Sequence, residues 1–226
     1  MDSVLCGRGL VRRFGERAAL DGVDFEVGRG EVVAVMGPSG SGKSTLLMCL
    51  AGIDVPDDGV VEFDGKGLST MNERGRAELR LRRFGFVFQF GELVPELTLA
   101  ENVSLPLWLT GTPRRRATAL ARRMLEELGI LEHADHRTSE VSGGEAQRAA
   151  VARALVHRPE VVFADEPTGA LDTANGELVL EAIVAAAASR DAAVVIVTHE
   201  PRVAAFAQRE VTLRDGRLHE PASLLP

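Results

Sequence analysis

The chain has 226 residues, with 26 Lys and Arg against 33 Asp and Glu, a formal net charge of −7 and no tyrosine. That length buries a full core in one large domain, with room for an inserted lobe. The acidic balance argues against a surface built to neutralise nucleic-acid phosphates, and two cysteines, Cys6 and Cys49, in apolar surroundings without metal-ligand spacing read as reduced structural thiols of a cytosolic protein.

Residues Val4 to Val27 alternate over short stretches, with turn signals at Asp21-Gly22 and Gly28-Arg29-Gly30, and predict a small antiparallel sheet. The apolar run from Glu31 to Met36 then predicts a strand that leads into Gly37-Pro38-Ser39-Gly40-Ser41-Gly42-Lys43-Ser44, and Thr45 to Ala51 predicts a helix. Strand, glycine loop and helix in this order make a phosphate cradle. The glycines turn backbone N–H groups inward, the helix start adds partial positive charge, Lys43 reaches the outer phosphates and Ser44 holds Mg²⁺. Lysine occurs only at positions 43 and 66 in a chain that otherwise uses arginine. A compact ammonium fits a crowded phosphate pocket where a guanidinium fork does not.

Gly59 to Phe63 adds a strand to the antiparallel sheet, Asn72 to Arg83 predicts a charged helix, and Phe84 to Phe88 a buried strand ending at Gln89, where a polar side chain faces a ligand. Helices over Leu99–Leu109, Pro113–Leu128 (stopped by Gly129) and Gly144–His157 form a lobe spanning Gly91 to His157, with Arg114-Arg115-Arg116 at the solvated start of the second. Val161 to Ala164 and Ala193 to Thr198, separated by a helix from Asn175 to Ser189, predict parallel strands covered on both faces. Glu210 to His219, turning at Asp215-Gly216, reads as a closing hairpin. The N-terminus has no signal-peptide apolar core and no run approaches eighteen apolar residues, so any membrane role is expected to come through a partner.

Two adjacent carboxylates, Asp165 and Glu166, stand at the end of a buried strand, where their charge needs compensation. A Mg²⁺-triphosphate supplies it, with Asp165 holding the ion and Glu166 orienting and deprotonating the attacking water. The bland alternative is a pair of helix-capping acids. The segment Val141 to Arg148 begins a helix with Ser142-Gly143-Gly144, a second anion-binding geometry that is also an ordinary N-cap. One triphosphate on one monomer does not use both, so the economical reading is that the second completes the site of a neighbouring copy.

These motifs, with Ala170-Leu171-Asp172 and His199 after Val-Ile-Val-Thr, occur in the order seen in ATP-binding-cassette nucleotide-binding domains, which the chain resembles over essentially its whole length. The resemblance implies an α/β P-loop NTPase fold: a RecA-like parallel-sheet core, an N-terminal antiparallel β subdomain and an inserted α-helical subdomain. It divides one ATPase domain, 1–226, into a nucleotide-binding core (1–90 and 158–226) and a helical signature subdomain (91–157). It implies that Gly37, Pro38, Ser39, Gly40, Ser41, Gly42, Lys43, Ser44 and Thr45 bind ATP phosphates, that Ser44, Gln89 and Asp165 hold Mg²⁺, and that Ser142, Gly143 and Gly144 meet the γ-phosphate held by the other subunit. Glu166, Lys43, His199 and Gln89 would be catalytic, Asp172 would communicate across the dimer, and Phe14 would stack on adenine without the hydroxyl of a tyrosine.

Two departures refine the resemblance: Glu145 stands where many members have Gln, and Gly169 where many have Ser. Both, with Leu93 to Leu99 and Glu101 to Leu107, are similar to the branch of lipoprotein-releasing, macrolide-exporting and cell-division ATPases. The partners so implied are a second copy in a head-to-tail ATP sandwich and an integral membrane permease of the FtsX/MacB type, at the cytoplasmic face of a bacterial inner membrane. Leu93, Val94, Leu97 and Trp108 are candidates for a groove receiving a permease helix, with lobe core as the alternative for each. A mechanotransmitting ATPase acting on a cell-wall hydrolase shares every catalytic residue, and a soluble nucleic-acid-associated cassette is a further alternative.

Overall fold

The computed structural model describes residues 3–219. Strands β1 (Ser3–Phe14) and β2 (Arg17–Gly28) are long antiparallel arms that turn at Gly15-Glu16. The turn expected at Asp21-Gly22 is instead a bulge inside β2. Pairing jumps from Leu10 with Val23 to Val11 with Asp21, leaving Gly22 unpaired at φ +74. A turn and a bulge draw on the same positive-φ backbone, which glycine adopts without steric cost.

The chain continues through β3 (Val32–Met36), α1 (Lys43–Leu50), β4 (Asp58–Phe63), β5 (Lys66–Gly67), α2 (Glu73–Arg83) and β6 (Phe84–Phe88). Then come α3 (Leu99–Leu109), α4 (Arg114–Glu127), α5 (Gly143–Leu155), β7 (Val161–Asp165), α6 (Thr173–Arg190), β8 (Ala193–Val197), α7 (Pro201–Ala204), β9 (Arg209–Arg214) and β10 (Arg217–His219). One sheet has the order β2-β1-β4-β5 and the other β10-β9-β3-β8-β7-β6. In the second, β9 runs parallel to β3, so one arm of the C-terminal hairpin extends the parallel core and β10 alone pairs antiparallel.

The period of two along each strand assigns the sheet's two faces. Val33, Val35, Phe163, Val195 and Val197 pack with Leu46 and Leu50 of α1 and with the antiparallel sheet. Val32, Val162, Ala164, Val194 and Ile196 share a core with Val103, Leu125, Val151 and Ile183 from the helices. The helices from 99 to 155 are thus built onto the sheet through one continuous apolar cluster. No helix among the described residues is long and apolar enough to cross a membrane.

This topology aligns the C-terminal ends of β3, β6, β7 and β8 along one edge. The segments that leave that edge carry residues 37–42, Gln89, Asp165-Glu166 and Thr198-His199. A parallel sheet places ligands at this edge because the strand ends open there onto loops and helix starts.

Candidate functional site

The loop between β3 and α1 closes tightly on its neighbours. Gly42, at φ +105, caps α1, and a Cβ there would overlap the carbonyl oxygen of Ala19 on β2. A side chain at 42 is excluded both by conformation and by space. Lys43 is only 7% exposed, and its Nζ donates to the carbonyls of Gly37 (2.8 Å) and Pro38 (3.1 Å). The ammonium is therefore held inside the loop it would serve.

A cleft of about 770 Å³ opens over this loop. Pro38, Ser39, Gly40, Gly42, Lys43, Ser44 and Thr45 line it together with Phe14, Gln89, Asp165, Glu166 and His199, whereas Gly37 and Ser41 do not. Ser41 is buried, and a Cβ on Gly37 would come within 2.2 Å of the Leu213 carbonyl oxygen and 2.9 Å of the Ser41 hydroxyl. Phe14 is 56% exposed at the cleft rim, with the Arg12 guanidinium 5.1 Å from its ring centroid. Arg17 also lines the cleft and donates to the Gly40 carbonyl at 2.5 Å. Its one sequence signal is its place three residues beyond Phe14, in a hairpin whose turn is invisible until the register is known.

At the far wall, burial pushes the Asp165 carboxyl up, the neighbouring Glu166 charge adds to this, and a hydrogen bond from Ser44 and the charge of Lys43 oppose it. Glu166 sits in the left-handed region at φ +46, a strained position for a residue with a side chain. Its carboxylate accepts from the Thr198 hydroxyl (3.0 Å) and meets His199 Nδ1 (2.7 Å). The turn after β7 thus aims Glu166 into the cleft, and two residues after β8 fix its rotamer. Gly169 explains one sequence departure: a Cβ there would come within 2.8 Å of the Gln89 side-chain nitrogen, so its absence leaves room for Gln89.

Ser44, Asp165 and Gln89 offer only oxygens to a cation, the donor set of a small hard ion. The raised Asp165 carboxyl beside Glu166 is negative charge short of compensation. No group of three or more His, Cys, Asp or Glu able to hold a metal occurs among the described residues. The folded-state value of Asp165 lies above its unfolded one, so its charge costs stability at neutral pH and the cost disappears as pH falls through the folded value. Asp165→Asn is therefore expected to raise the Tm of the ligand-free protein at pH 7.5 by about 2–4 °C while abolishing Mg²⁺-dependent turnover. The gain should shrink towards acid pH in thermal melts, and a lower Tm would mark the carboxylate as structural.

The pattern of the ABC transporter family matches residues 20–169. The chain belongs to the ABC transporter family. Lipoprotein-releasing system ATP-binding protein LolD 2 of Caulobacter vibrioides is 45% identical to it over 96% of this chain and 97% of its own length. The LolD protein of Bacteroides fragilis is 41% identical over 93% and 97%. The dimeric post-hydrolysis structure of the ATP-binding cassette MJ0796, bound to ADP and Pi, matches with a TM-score of 0.89 at 34% identity, covering 98% of this chain and 99% of that one. This chain carries the ATPase cassette of the family.

In this ABC cassette, Ser142, Gly143, Gly144 and Asp172 lie outside the walls of the cleft. Ser142 caps α5: its hydroxyl accepts from the Glu145 N–H (3.3 Å), and the Glu145 carboxylate accepts from the Ser142 N–H (2.7 Å). That backbone bond holds the Glu145 carboxyl below its usual range, and His133 Nε2 lies 3.2 Å from its other oxygen. Glu at this position closes a capping box. The N-cap reading and the anion-site reading of Ser142 are compatible, because the hydroxyl that accepts from Glu145 still has a proton to donate. Sequence reasoning missed Asn175, which donates to Asp172 through its backbone (3.0 Å) and side chain (2.7 Å), accepts from Arg148 (2.7 Å) and backs onto Gly144. Asp172 and the start of α5 are joined through it.

None of Leu93, Val94, Leu97 and Trp108 lines the apolar groove of about 440 Å³ between α2, β6, α3 and α5. Leu93 and Trp108 pack against the helical core instead, and the Val94 backbone is bonded to buried Asn102. The groove is walled by Ile53, Leu81, Phe86, Leu105 and Leu109, with Arg153 among its few polar residues.

Proposed function

We propose that this chain is the ATP-hydrolysing subunit of an inner-membrane complex, in which two copies close head to tail around two Mg-ATP molecules and reopen after hydrolysis. The observation that carries this reading is the division of phosphate-binding elements: loop, acids, Gln89 and His199 share one cleft, while the capped Ser142 helix stands outside it. A second copy brings its own Ser142 end over the open side of that cleft, and neither half-site is complete alone. Residues 1–226 act as one ATPase unit, the helical signature region 91–157 moving with the second half-site.

In the closed pair, Phe14 stacks on the adenine, Lys43 leaves the Gly37 and Pro38 carbonyls for the outer phosphates, and loop N–H groups with the start of α1 hold the rest. Ser44, Asp165 and Gln89 would hold Mg²⁺, which would supply charge neutralisation at the phosphoryl oxygens. Glu166, fixed by Thr198 and His199, accepts the proton of the attacking water. The Nδ1 contact to Glu166 turns Nε2 of His199 towards the γ-phosphate. Catalysis is positioning and charge stabilisation in a site from which closure expels water.

The likeness to lipoprotein-releasing ATP-binding proteins supports a permease of the FtsX/MacB type as partner, with cargo contacted by the permease. The groove between α2 and α5 is shaped for a cytoplasmic helix of that permease, since it is apolar and ends at Leu109, which is 68% exposed. Leu109→Asp combined with Ile53→Glu is expected to leave ATPase activity of the isolated subunit within about twofold and to abolish co-purification with the permease from membranes. Retained co-purification would place the docking surface elsewhere.

A further inference from the structure

Helix α5 is fastened to the catalytic loops by side chains that the nucleotide site itself does not use. Gln147, 3% exposed, donates through its single amide nitrogen to the carbonyls of Phe88 (2.8 Å) and Pro167 (2.9 Å). The first carbonyl immediately precedes Gln89 and the second immediately follows Glu166. The orientation of the amide is settled by chemistry, because the opposite flip would aim an acceptor at two acceptors. Its oxygen lies against Gly91, where a Cβ would approach to 3.1 Å. Six residues further along α5, Arg153 donates to the carbonyls of Gly91 and Glu92, each at 2.8 Å. Helix α5 therefore holds the Gln89 loop at both ends and the Glu166 turn at one point.

Removing this buried donor strips one hydrogen bond from each of the two carbonyls in a low-dielectric site, and the Phe88 carbonyl keeps its bond from the Gly91 N–H. The Ser142 half-site is at the N-terminus of this same helix, five residues before Gln147. We infer that Gln147 is a positioning residue that makes the placement of Gln89 and Glu166 depend on where α5 sits, so that engagement of the Ser142 end by a second copy aligns the hydrolytic residues of its own subunit. The inference rests on the nucleotide reading of the cleft and adds to it a link between the two half-sites of one chain.

Gln147→Met keeps length and volume and removes both donors. The expected result is a fall in kcat of about tenfold or more with the KM for ATP within about twofold. In a Gln89→Ala background the same substitution should cost less than in the parent, because residues that act through one another are non-additive and only the part carried by Glu166 remains. Equal fractional losses in both backgrounds, or an unchanged kcat, would overturn the role. An unaltered wild-type chain without ATPase activity would instead overturn the reading of the cleft. If Gln147→Met does not fold, hydrogen exchange in the wild-type chain decides the matter. On titration with a non-hydrolysable ATP analogue, the Gly91 and Gly169 amides, bonded to Phe88 and Glu166 carbonyls, should gain protection at the same midpoint as residues 143–147. Separate midpoints would contradict the link.

Discussion

Glu166→Gln is expected to bind ATP, to accumulate as a dimer at millimolar ATP and to lose turnover by about 10²- to 10⁴-fold, the range associated with a general base. The substitution is isosteric, and the left-handed backbone at φ +46 is set by the turn after β7. The Gln carbonyl still accepts from the Thr198 hydroxyl, and its amide can donate to neutral His199, so the surroundings survive. What disappears is an acceptor able to take the proton of water. Light scattering with and without ATP, beside phosphate release, checks both halves. Hydrolysis within about threefold of the parent would remove Glu166 from the role.

Lys43→Ala and Ser142→Arg are each expected to bring ATPase activity to background, for different reasons. Removing Lys43 deletes a charged donor from the phosphate loop, and ATP affinity should fall by about 10- to 100-fold, the equivalent of one charge-assisted hydrogen bond. Nucleotide titration by fluorescence measures this directly. Ser142→Arg replaces a capping hydroxyl, at a cost of about 1 kcal/mol in helix stability, and fills the half-site with a bulky side chain. ATP affinity of the separate subunit should be unchanged, because Ser142 lies outside the cleft that holds the loop.

The phosphate loop was legible in the sequence because its demands are local: glycines in a tight turn, a preceding apolar strand and a following helix. The strand ends were legible for the same reason, since five-residue apolar runs in a parallel sheet deliver whatever follows them to one edge. The β1–β2 hairpin was not, because Asp21-Gly22 serves a bulge as well as a turn and only pairing distinguishes them. Contacts between residues distant in the chain were out of reach too. Arg17 meets Gly40, Thr198 holds Glu166, and Gln147 reaches back 59 residues to Phe88. None has a local pattern, because each depends on how strands are ordered and helices docked. The walls of the apolar groove were not legible for a related reason. A groove is a property of the gap between α2, β6, α3 and α5, and hydrophobicity alone cannot separate its walls from the core beneath.

We propose that each nucleotide is enclosed by half-sites from two copies of the chain. Mixing Lys43→Ala and Ser142→Arg chains in equal amounts tests it most directly, because only a mixed dimer regains one site with both halves intact. With random pairing, half the dimers are mixed and each has one complete site of two, so ATPase activity should recover to about a quarter of the parent's. A mixture as inactive as its components would contradict shared sites and place the whole catalytic constellation within a single chain.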